Sequence, residues 1–326
     1  MPSHLLRRCL IAACIALPFT MAVADESAYP TRPITVVVPY AAGGAADNMA
    51  RVVAAKLGEQ LSTSVVVQNF GGGSGVVGAQ KVLRSEADGY TLLYGTSSDM
   101  IVSPLTIDAA GYQPESFTPI SQVGYTAMAL AVHPASGLES LAVFIERAKS
   151  VRQPLTLGVT GIASLQALAA AMLIEATGIE VTVVPYRGGA LMMNDLLGQQ
   201  IDAAIVALPG VLGAHQTGQL KALAVLSAAR ATAAPDVPTV NETLPQGGVD
   251  VGIWAGLAGP ANLPEPIVER LNRALSAIKQ DPDFVKSQLA SGSNPVAPQE
   301  PAQFKDRIAA EKARFAQLVG LLGAFQ

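Results

Sequence analysis

At positions 36–47 the chain reads VVVPYAAGGAAD, which joins an apolar strand pattern to the start of a helix through a loop of small residues. The apolar run that begins at Ile34 stops at Pro39, and a helical pattern opens near Ala46. The first N–H groups of a helix lack intrahelical partners, and the helix dipole adds partial positive charge at the same end. The stretch therefore predicts either an anion site built from backbone or an ordinary strand-to-helix turn.

Short apolar strands and amphipathic helices alternate along the rest of the chain, with Gly and Pro between them. The pattern predicts strands at 34–38, 65–67, 89–95, 155–159, 181–184, 201–206 and 220–226. It predicts helices at 46–61, 76–84, 140–150, 164–177, 190–197, 265–278, 282–290 and 301–322, with a long connection at 228–248. This alternation implies parallel βαβ units.

Two further apolar stretches, 120–132 and 249–257, are interpreted as crossings between two lobes. The predicted fold is α/β, with two lobes that each carry a mostly parallel sheet flanked by helices. The two crossing strands would serve as a hinge. Residues 25–125 and 252–326 would form a discontinuous first lobe and residues 126–251 the second, which suits a chain of 326 residues.

Residues 1–24 have the pattern of a secretory signal peptide. The basic pair Arg7-Arg8 precedes a mostly apolar segment, and Ala22–Ala24 is a small-x-small cleavage site. A lipoprotein signal is the alternative, because small and apolar residues precede Cys14. Few residues separate Arg8 from Cys14 and the apolar run continues beyond it, so we favour cleavage after Ala24 and a soluble periplasmic product.

The composition after such cleavage restricts the function further. Cys9 and Cys14 are the only cysteines, so the exported chain would have none. Loss of Arg7 and Arg8 would change the formal net charge from −4 to −6, which argues against nucleic acid or an anionic membrane as partner. Charged residues make up 14% of the chain and hydrophobic residues 50%, which is typical of a compact soluble protein.

Five predicted turns share small or polar residues between a strand and a helix start: 40–47, 71–75, 95–98, 160–164 and 185–189. In parallel sheets such turns lie at the carboxyl ends of the strands, the edge at which open α/β sheets bind ligands. Turns from two facing lobes would form a polar cleft lined by N–H groups. Charge-assisted hydrogen bonds from several N–H groups suit a carboxylate or phosphate.

Other chemistries have weaker support in the sequence. The segment Gly73–Gly78 matches the dinucleotide fingerprint G-x-G-x-x-G, but it belongs to the second strand–helix unit and is separated from its strand. The chain has no G-x-S-x-G motif that would supply a serine nucleophile for His133 or His215 to activate as a general base. The two histidines also lack the spacing of metal ligands. We therefore expect no catalytic residue, no metal site and no cofactor.

For a few polar and aromatic side chains the sequence allows either a structural role or a ligand-binding role. Asp47 would complement the helix dipole or orient a ligand amine, and Asp202 is similarly ambiguous. Arg187, the only cation in the five turns, would pair with a ligand carboxylate or bridge the lobes. Trp254, the sole tryptophan, fits hinge or core packing better than a stacking platform. The two histidines are expected to be surface or cap residues.

Nearly the whole exported chain resembles the tripartite tricarboxylate transporter substrate-binding proteins, also called Bug receptors. The motifs are YPTRPI at 29–34, VPYAAGGAAD at 38–47, VQN at 67–69, GA at 78–79, ADGYTLL at 87–93, VPYRG at 184–188, DLLG at 195–198, PDVPTV at 235–240, WAGL at 254–257 and GP at 259–260. Each motif is short, but their order and spacing together are specific.

The resemblance implies a type II periplasmic-binding-protein fold that closes over one small organic carboxylate. It implies a monomer that delivers its ligand to the large and small membrane subunits of a transporter. A sensor for a signalling partner remains an alternative, and an oxidoreductase resting on the dinucleotide fingerprint is a further one. Carried over to this chain, the ligand-binding residues are Tyr40, Gly43, Gly44 and Ala45 as backbone donors, then Thr96, Ser97 or Ser98, Thr160, Gly161, Ser164, Tyr186 and Arg187.

The chain departs from the family pattern at two places in the second lobe. Ala167 stands where many relatives have a histidine, and Val206-Ala207 stands where many have a polar pair. Relatives that bind ammonium-bearing ligands would want a carboxylate near the latter pair. These departures favour a less polar or non-amino carboxylate over an acidic amino acid.

Overall fold

A computed structural model describes residues 29–162, 164–186, 189–244, 247–320 and 322 of the chain. The predicted signal peptide, the alternative lipidation site Cys14 and the side chain of Arg187 lie outside these ranges. Among the described residues, no helix combines the length and apolar character that a membrane crossing needs.

The first part of the chain forms three strands with helices between them. These elements are β1 (Ile34–Val38), α1 (Ala45–Leu61), β2 (Val65–Asn69), α2 (Val76–Leu83) and β3 (Thr91–Thr96). A π-helical turn, Ser98–Val102, and the short helix α3 (Ser103–Thr106) follow. The long strand β4 (Phe117–Val132) then leads into the second part of the molecule.

The second part repeats the alternation, and the chain then returns. Its elements are α4 (Leu141–Ser150), β5 (Leu155–Val159), α5 (Leu165–Thr177), β6 (Val181–Pro185), α6 (Gly189–Leu197), β7 (Ala203–Ala207), α7 (Pro209–Gln216), β8 (Lys221–Val225) and α8 (Val240–Thr243). The return strand is β9 (Gly252–Pro260), followed by α9 (Glu265–Lys279), α10 (Pro282–Ala290) and α11 (Pro301–Val319).

The strands form one continuous sheet in the order β2-β1-β3-β9-β4-β7-β5-β6, with β8 also paired to β4. The strands β1, β2 and β3 are mutually parallel, as are β5, β6 and β7, and the crossing strands β4 and β9 are antiparallel to each other. The structure is therefore a two-lobed α/β fold of the predicted type. We call the half with β1–β3 lobe 1 and the half with β5–β8 lobe 2.

Strand β4 changes partners where the two lobes meet. Its residues Phe117–Ala127 pair with β9, and Met128–Val132 pair with β7. The change lies two residues from the predicted lobe boundary at 125/126. The exact division of the chain into lobes stays a prediction, because the two halves share β4.

The core is organised by the two faces of this sheet. On one face of lobe 1, α1 and α9 cover Ile34, Val36 and Leu92, which are fully buried. On the other face a single apolar cluster extends through both lobes and includes Leu93, Leu157 and Trp254. Helix α11 contributes Phe304, Ile308 and Phe315 to this shared cluster and so ties the lobes together.

Several elements differ from the sequence-based prediction. Strand β2 extends beyond the predicted 65–67 to Asn69, and it lies at the edge of the sheet with alternate residues exposed, because one of its faces packs on the protein and the other faces solvent. The helices α3 and α7 were not predicted, since α7 contains Pro209, Gly210 and Gly213. The predicted connection at 228–248 contains the short helix α8, which begins with a capping box from Thr239 and Glu242.

Candidate functional site

Strand directions bring the predicted turns of both lobes to one place. Strand β4 runs from lobe 1 into lobe 2, and β1–β3 run parallel to it because both pair in the antiparallel sense with β9. Strands β5–β7 run in the opposite direction, since β7 is antiparallel to β4. The carboxyl ends of both strand sets therefore point toward the crossing, and their turns face each other across an interlobe cleft.

Contacts at the crossing join the two walls of this cleft. The amide of Leu208, just after β7, donates to the carbonyl of Ala127 at 2.9 Å. Ala127 pairs with Gly252 at the start of β9, and the Ser97 hydroxyl lies 3.5 Å from the Gly252 carbonyl. The ends of β3 and β7 thus approach the same point from opposite lobes.

The loop after β1 is held by Asp47. Its carboxylate accepts hydrogen bonds from the Gly43 amide at 2.8 Å, from Asn69 Nδ2 at 2.9 Å and from Arg51. These bonds, chiefly the one from Arg51, lower the pKa of Asp47 to about 2. Asp47 therefore fixes the loop and the first turn of α1, which agrees with its interpretation as a residue that serves the helix.

The amino end of α1 presents unpaired N–H groups to the cleft. The residues Gly44, Ala45 and Ala46 are exposed or half-buried, and their amides have no protein acceptor among the described residues. Gly43 differs from the prediction, because its N–H is already bonded to Asp47. The donors that remain for an anion in this loop belong to Gly44, Ala45 and Ala46.

The hydroxyls predicted after β3 lie beneath the cleft surface. Thr96 is 5% exposed and Ser97 fully buried, and Thr96 Oγ1 donates to Asp99 Oδ2 at 2.6 Å. Their side chains are therefore enclosed within lobe 1 in this structure, and their contact with a ligand stays a prediction. Ser98 is half-buried, with its amide bonded to Thr96 Oγ1 at 3.2 Å.

Asp99 lies directly after the predicted turn 95–98 and was not among the predicted site residues. Its Oδ2 accepts hydrogen bonds from the Tyr40 hydroxyl, the Thr96 hydroxyl and the Thr96 amide. Burial raises the pKa of this carboxyl to about 6. The side chain of Tyr40, the first residue of the predicted site, is thus fixed to the loop after β3 by its hydrogen bonds to Thr96 and Asp99.

In lobe 2, Ser164 caps helix α5. Its hydroxyl donates to the Gly161 carbonyl at 2.7 Å and accepts from the Ala167 amide at 3.0 Å. The Gly161 amide is also occupied, by the Val159 carbonyl at 3.1 Å. Thr160 and Gly161 remain half-buried at the carboxyl end of β5, where they form part of the cleft wall.

The double role of the Ser164 hydroxyl predicts a stability effect. Replacing Ser164 with alanine removes the cap of α5, and we expect a loss of about 1 kcal/mol in the free energy of unfolding. Urea denaturation followed by circular dichroism measures it. Ser164→Asp retains the acceptor and is the matched control, which we expect to keep most of the lost stability. An unchanged unfolding midpoint for Ser164→Ala would contradict the capping role.

Tyr186 lies after β6 and is also committed to its own lobe. Its hydroxyl donates to Asp195 Oδ2 at 2.7 Å, and its amide donates to the Val159 carbonyl at 2.8 Å. Burial, with the neighbouring Asp195 carboxylate, raises its pKa to about 12. The Tyr186 ring remains half-buried at the edge of the cleft, next to the undescribed residue Arg187.

The turn between β7 and α7 is a further part of the lobe 2 wall; the sequence pointed to it only through the apolar pair Val206-Ala207, and no ligand-binding residue was predicted there. Ala207 and Pro209 are half-buried there, and Leu208 is fully buried. Pro209 at the first position of a helix was the available signal, because proline suits that position. This turn therefore offers an apolar surface at the carboxyl end of β7.

The dinucleotide fingerprint serves packing inside lobe 1. A Cβ on Gly78 would lie 2.6 Å from the Cα of Pro39, and one on Gly75 would lie 2.5 Å from the Cβ of Asp99. The loop is also bonded to its surroundings, since the Ser103 hydroxyl donates to the Ser74 carbonyl at 2.8 Å. These glycines are required by close contacts with neighbouring segments.

The other ambiguous side chains have structural partners. Asp202 lies before β7, at the end of the sheet away from the cleft, and accepts from the Thr156 amide and hydroxyl at 2.8 Å. His133 caps a short turn, and His215 contacts Asp236. Trp254 is fully buried. Within the described ranges, no group of three or more His, Cys, Asp or Glu could hold a metal ion.

Comparison with known proteins places these features in a family. Residues 49–323 match the tripartite tricarboxylate transporter family receptor. The chain is 34% identical to protein BugT of Bordetella pertussis over 317 residues, which cover 97% of each chain. The fold is similar to that of R. palustris Rpa4515 with adipate, with a TM-score of 0.79 and 31% identity over 90% of this chain and 98% of that one. It is also similar to MatC from Rhodopseudomonas palustris with bound malate, with a TM-score of 0.75 and 27% identity over 89% of this chain and 100% of that one.

Proposed function

The chain belongs to the tripartite tricarboxylate transporter receptor family, and from this membership we propose that it binds a small organic carboxylate in its interlobe cleft. Its relatives are solute-binding receptors and not enzymes, and receptors of this family are periplasmic. The observation that carries the proposal is the set of unpaired N–H groups of Gly44, Ala45 and Ala46 at the amino end of α1.

The backbone supplies the positive potential that an acidic chain otherwise lacks. Helix α1 is 17 residues long, and its dipole places partial positive charge on the same N–H groups. The carboxylate of Asp47 is turned inward to the Gly43 amide, to Asn69 and to Arg51, so its charge is neutralised within the loop. A ligand carboxylate at this helix end is thus attracted without a dedicated cationic side chain.

The second wall supports the class of carboxylate. Ala207 and Pro209 offer apolar surface, and the buried acids Asp47 and Asp99 of lobe 1 are bonded within their own lobe, so neither is free to pair with a ligand ammonium group. The adipate of Rpa4515 and the malate of MatC are aliphatic dicarboxylates. We therefore propose an aliphatic carboxylate without an ammonium group as the ligand.

Delivery to a membrane transporter is a further part of the proposal. The chain would be exported by its signal peptide and act as a monomer in the periplasm. Its lobes would close about the crossings at β4 and β9, and the closed form would engage the large and small membrane subunits. The strand crossing supports this motion, because the two strands β4 and β9 carry the chain between the lobes.

A thermal-stability panel tests the proposal. A ligand at 100 times its dissociation constant adds about 2.7 kcal/mol to the free energy of unfolding, which corresponds to a rise of about 5 °C in Tm. We expect adipate or malate to produce such a shift, and aspartate to produce less. Glucose and spermidine are the uncharged and cationic controls. A shift with either control and none with any carboxylate would overturn the anion proposal.

A further inference from the structure

Three oxygen atoms form a closed triangle beneath the lobe 1 wall of the cleft. Tyr40 Oη lies 2.9 Å from Thr96 Oγ1 and 2.8 Å from Asp99 Oδ2. Thr96 Oγ1 lies 2.6 Å from Asp99 Oδ2, which also accepts the Thr96 amide at 2.9 Å. The triangle joins the loop after β1 to the loop after β3.

The number of hydrogens in this triangle depends on the protonation of Asp99. Each of the three oxygen–oxygen contacts requires one hydrogen, and the hydroxyls of Tyr40 and Thr96 supply two. An ionised Asp99 supplies none, so one contact would bring two oxygens together without a hydrogen. A proton on Asp99 Oδ2 supplies the third hydrogen, in a cyclic arrangement that reverses the Tyr40–Asp99 bond of the ionised form: Oδ2 donates to Tyr40 Oη, Tyr40 donates to Thr96 Oγ1, and Thr96 donates to Oδ2.

The surroundings of Asp99 also favour its neutral form. The side chain is fully buried, and its Oδ1 has no hydrogen-bond partner among the described residues. No Lys, Arg or His in the described ranges forms an ion pair with Asp99. An ionised carboxylate with one oxygen buried and unpaired is costly, and burial raises the pKa of Asp99 to about 6.

The titratable groups that face Asp99 are two tyrosines. Tyr40 lies on the loop after β1, and the Tyr112 hydroxyl donates to the Asp99 carbonyl at 2.6 Å. Burial raises the pKa of both, so they stay neutral near pH 7. Two longer helices, α2 and α11, pack against the turn Ser98–Val102 that contains Asp99. Their charged side chains contact other groups or are exposed: Lys81, Arg84, Lys305, Asp306, Arg307, Glu311, Lys312 and Arg314.

We propose that Asp99 is a proton-linked positioning residue, which is neutral when an anion occupies the cleft, so that carboxylate binding takes up a proton. The inference rests on the proposed function. Asp99 bonds to Tyr40, four residues before the free amide of Gly44, and a negative charge there would oppose an anion at that helix end. By linkage, an anion in the cleft raises the proton affinity of Asp99 to the same extent.

The direction of the pH dependence follows from this linkage. Below the pKa of Asp99 in the free protein the residue is already neutral, so affinity does not change with pH. Between this pKa and the higher pKa of Asp99 in the complex, binding takes up a proton, so affinity falls as the pH rises. Above the pKa of the complex the residue is ionised in both states, and affinity is again constant. A coupling of one pKa unit would weaken binding about tenfold in total, of which about fivefold falls between about pH 6 and about pH 8.

Isothermal titration calorimetry with adipate and with malate tests the inference. Both probes are fully ionised dianions across most of this range, so the protein is the source of any proton uptake. Repeating the titration in two buffers of different ionisation enthalpy gives the number of protons taken up. We expect a value between zero and one that is largest midway between the two pKa values of Asp99, at about pH 6.5 for a coupling of one pKa unit, together with this loss of affinity.

Two variants assign the proton to its residue. Asp99→Asn keeps the size and an acceptor oxygen but is neutral at every pH, so its affinity should be flat and its proton uptake zero. Asp108→Asn removes an exposed carboxylate of lobe 1 and should keep the parent profile. If Asp99→Asn fails to fold, the number of protons that the parent protein takes up on binding still tests whether binding is linked to protonation.

The outcomes separate the two proposals. Binding without proton uptake, or a pH profile that is identical in Asp99→Asn and the parent, overturns the role of Asp99 and leaves the carboxylate proposal intact. No binding of adipate, malate or any other carboxylate of the thermal panel overturns the proposed function and this inference with it.

Discussion

Replacing Trp254 with alanine is expected to lower the free energy of unfolding by about 3–5 kcal/mol. Trp254 is fully buried on β9, and its ring meets Phe304 of α11 edge to face with centroids 5.0 Å apart. The substitution would leave a large cavity in the apolar cluster that extends through both lobes. The protein should therefore lose stability as a whole, because this cluster joins lobe 1 to lobe 2.

A polar contact adds to the cost of losing this ring. Trp254 Nε1 donates to Glu311 Oε2 at 2.6 Å, and Arg307 Nε donates to the other carboxylate oxygen at 3.0 Å. Burial raises the pKa of Glu311, and the hydrogen bonds from Trp254 and Arg307 act in the opposite direction by stabilising its charged form. Without the indole, one oxygen of a buried carboxylate loses its donor.

Urea denaturation followed by far-UV circular dichroism measures this effect, since Trp254 is the only tryptophan and its fluorescence is lost with it. Trp254→Phe is the matched control. It keeps the aromatic contact with Phe304 and loses the hydrogen bond to Glu311, so we expect a smaller loss of about 1–2 kcal/mol. Equal losses for the two variants would contradict a packing role at the join between the lobes.

The local signals in the sequence predict the strands, most helices and the position of the cleft. Apolar runs such as Ile34–Val38, followed by small residues and a helical period, identify each strand–turn–helix unit. The carboxyl-edge rule then places the turns together without any knowledge of the sheet order. Helix α7 was not predicted, because Pro209 and its glycines have low helix propensity and the helix depends on tertiary packing for its stability.

The roles of individual side chains are less predictable, because they depend on contacts between distant parts of the chain. Ser164 belongs to the predicted turn, yet its hydroxyl is used by the backbone of its own helix. Asp99 has the sequence pattern of a cap, and only the approach of Tyr40 and Tyr112 makes it a buried acid. Residue type and spacing therefore locate a site better than they assign its contacts.

Replacing Gly44 with aspartate is expected to weaken adipate or malate binding at least 100-fold, or by about 2.7 kcal/mol, while the protein stays folded. Gly44 is the N-cap of α1, with extended backbone angles of φ −77° and ψ 169° and no side-chain cap. A Cβ there would meet only the Ala41 carbonyl, at 3.5 Å, so a side chain fits without strain. The new carboxylate would accept the free amides of the first turn and repel a ligand anion.

The same substitution should change the free energy of unfolding by less than about 1 kcal/mol, since aspartate is a favourable N-cap residue. Gly44→Asn is the matched control, because asparagine caps equally well and carries no charge. We expect it to compete for the same amides and to weaken binding only about tenfold, and isothermal titration calorimetry measures both variants. Parent-like affinity in Gly44→Asp would show that the amino end of α1 does not hold the ligand, and equal losses in the two variants would show that charge at this helix end does not matter.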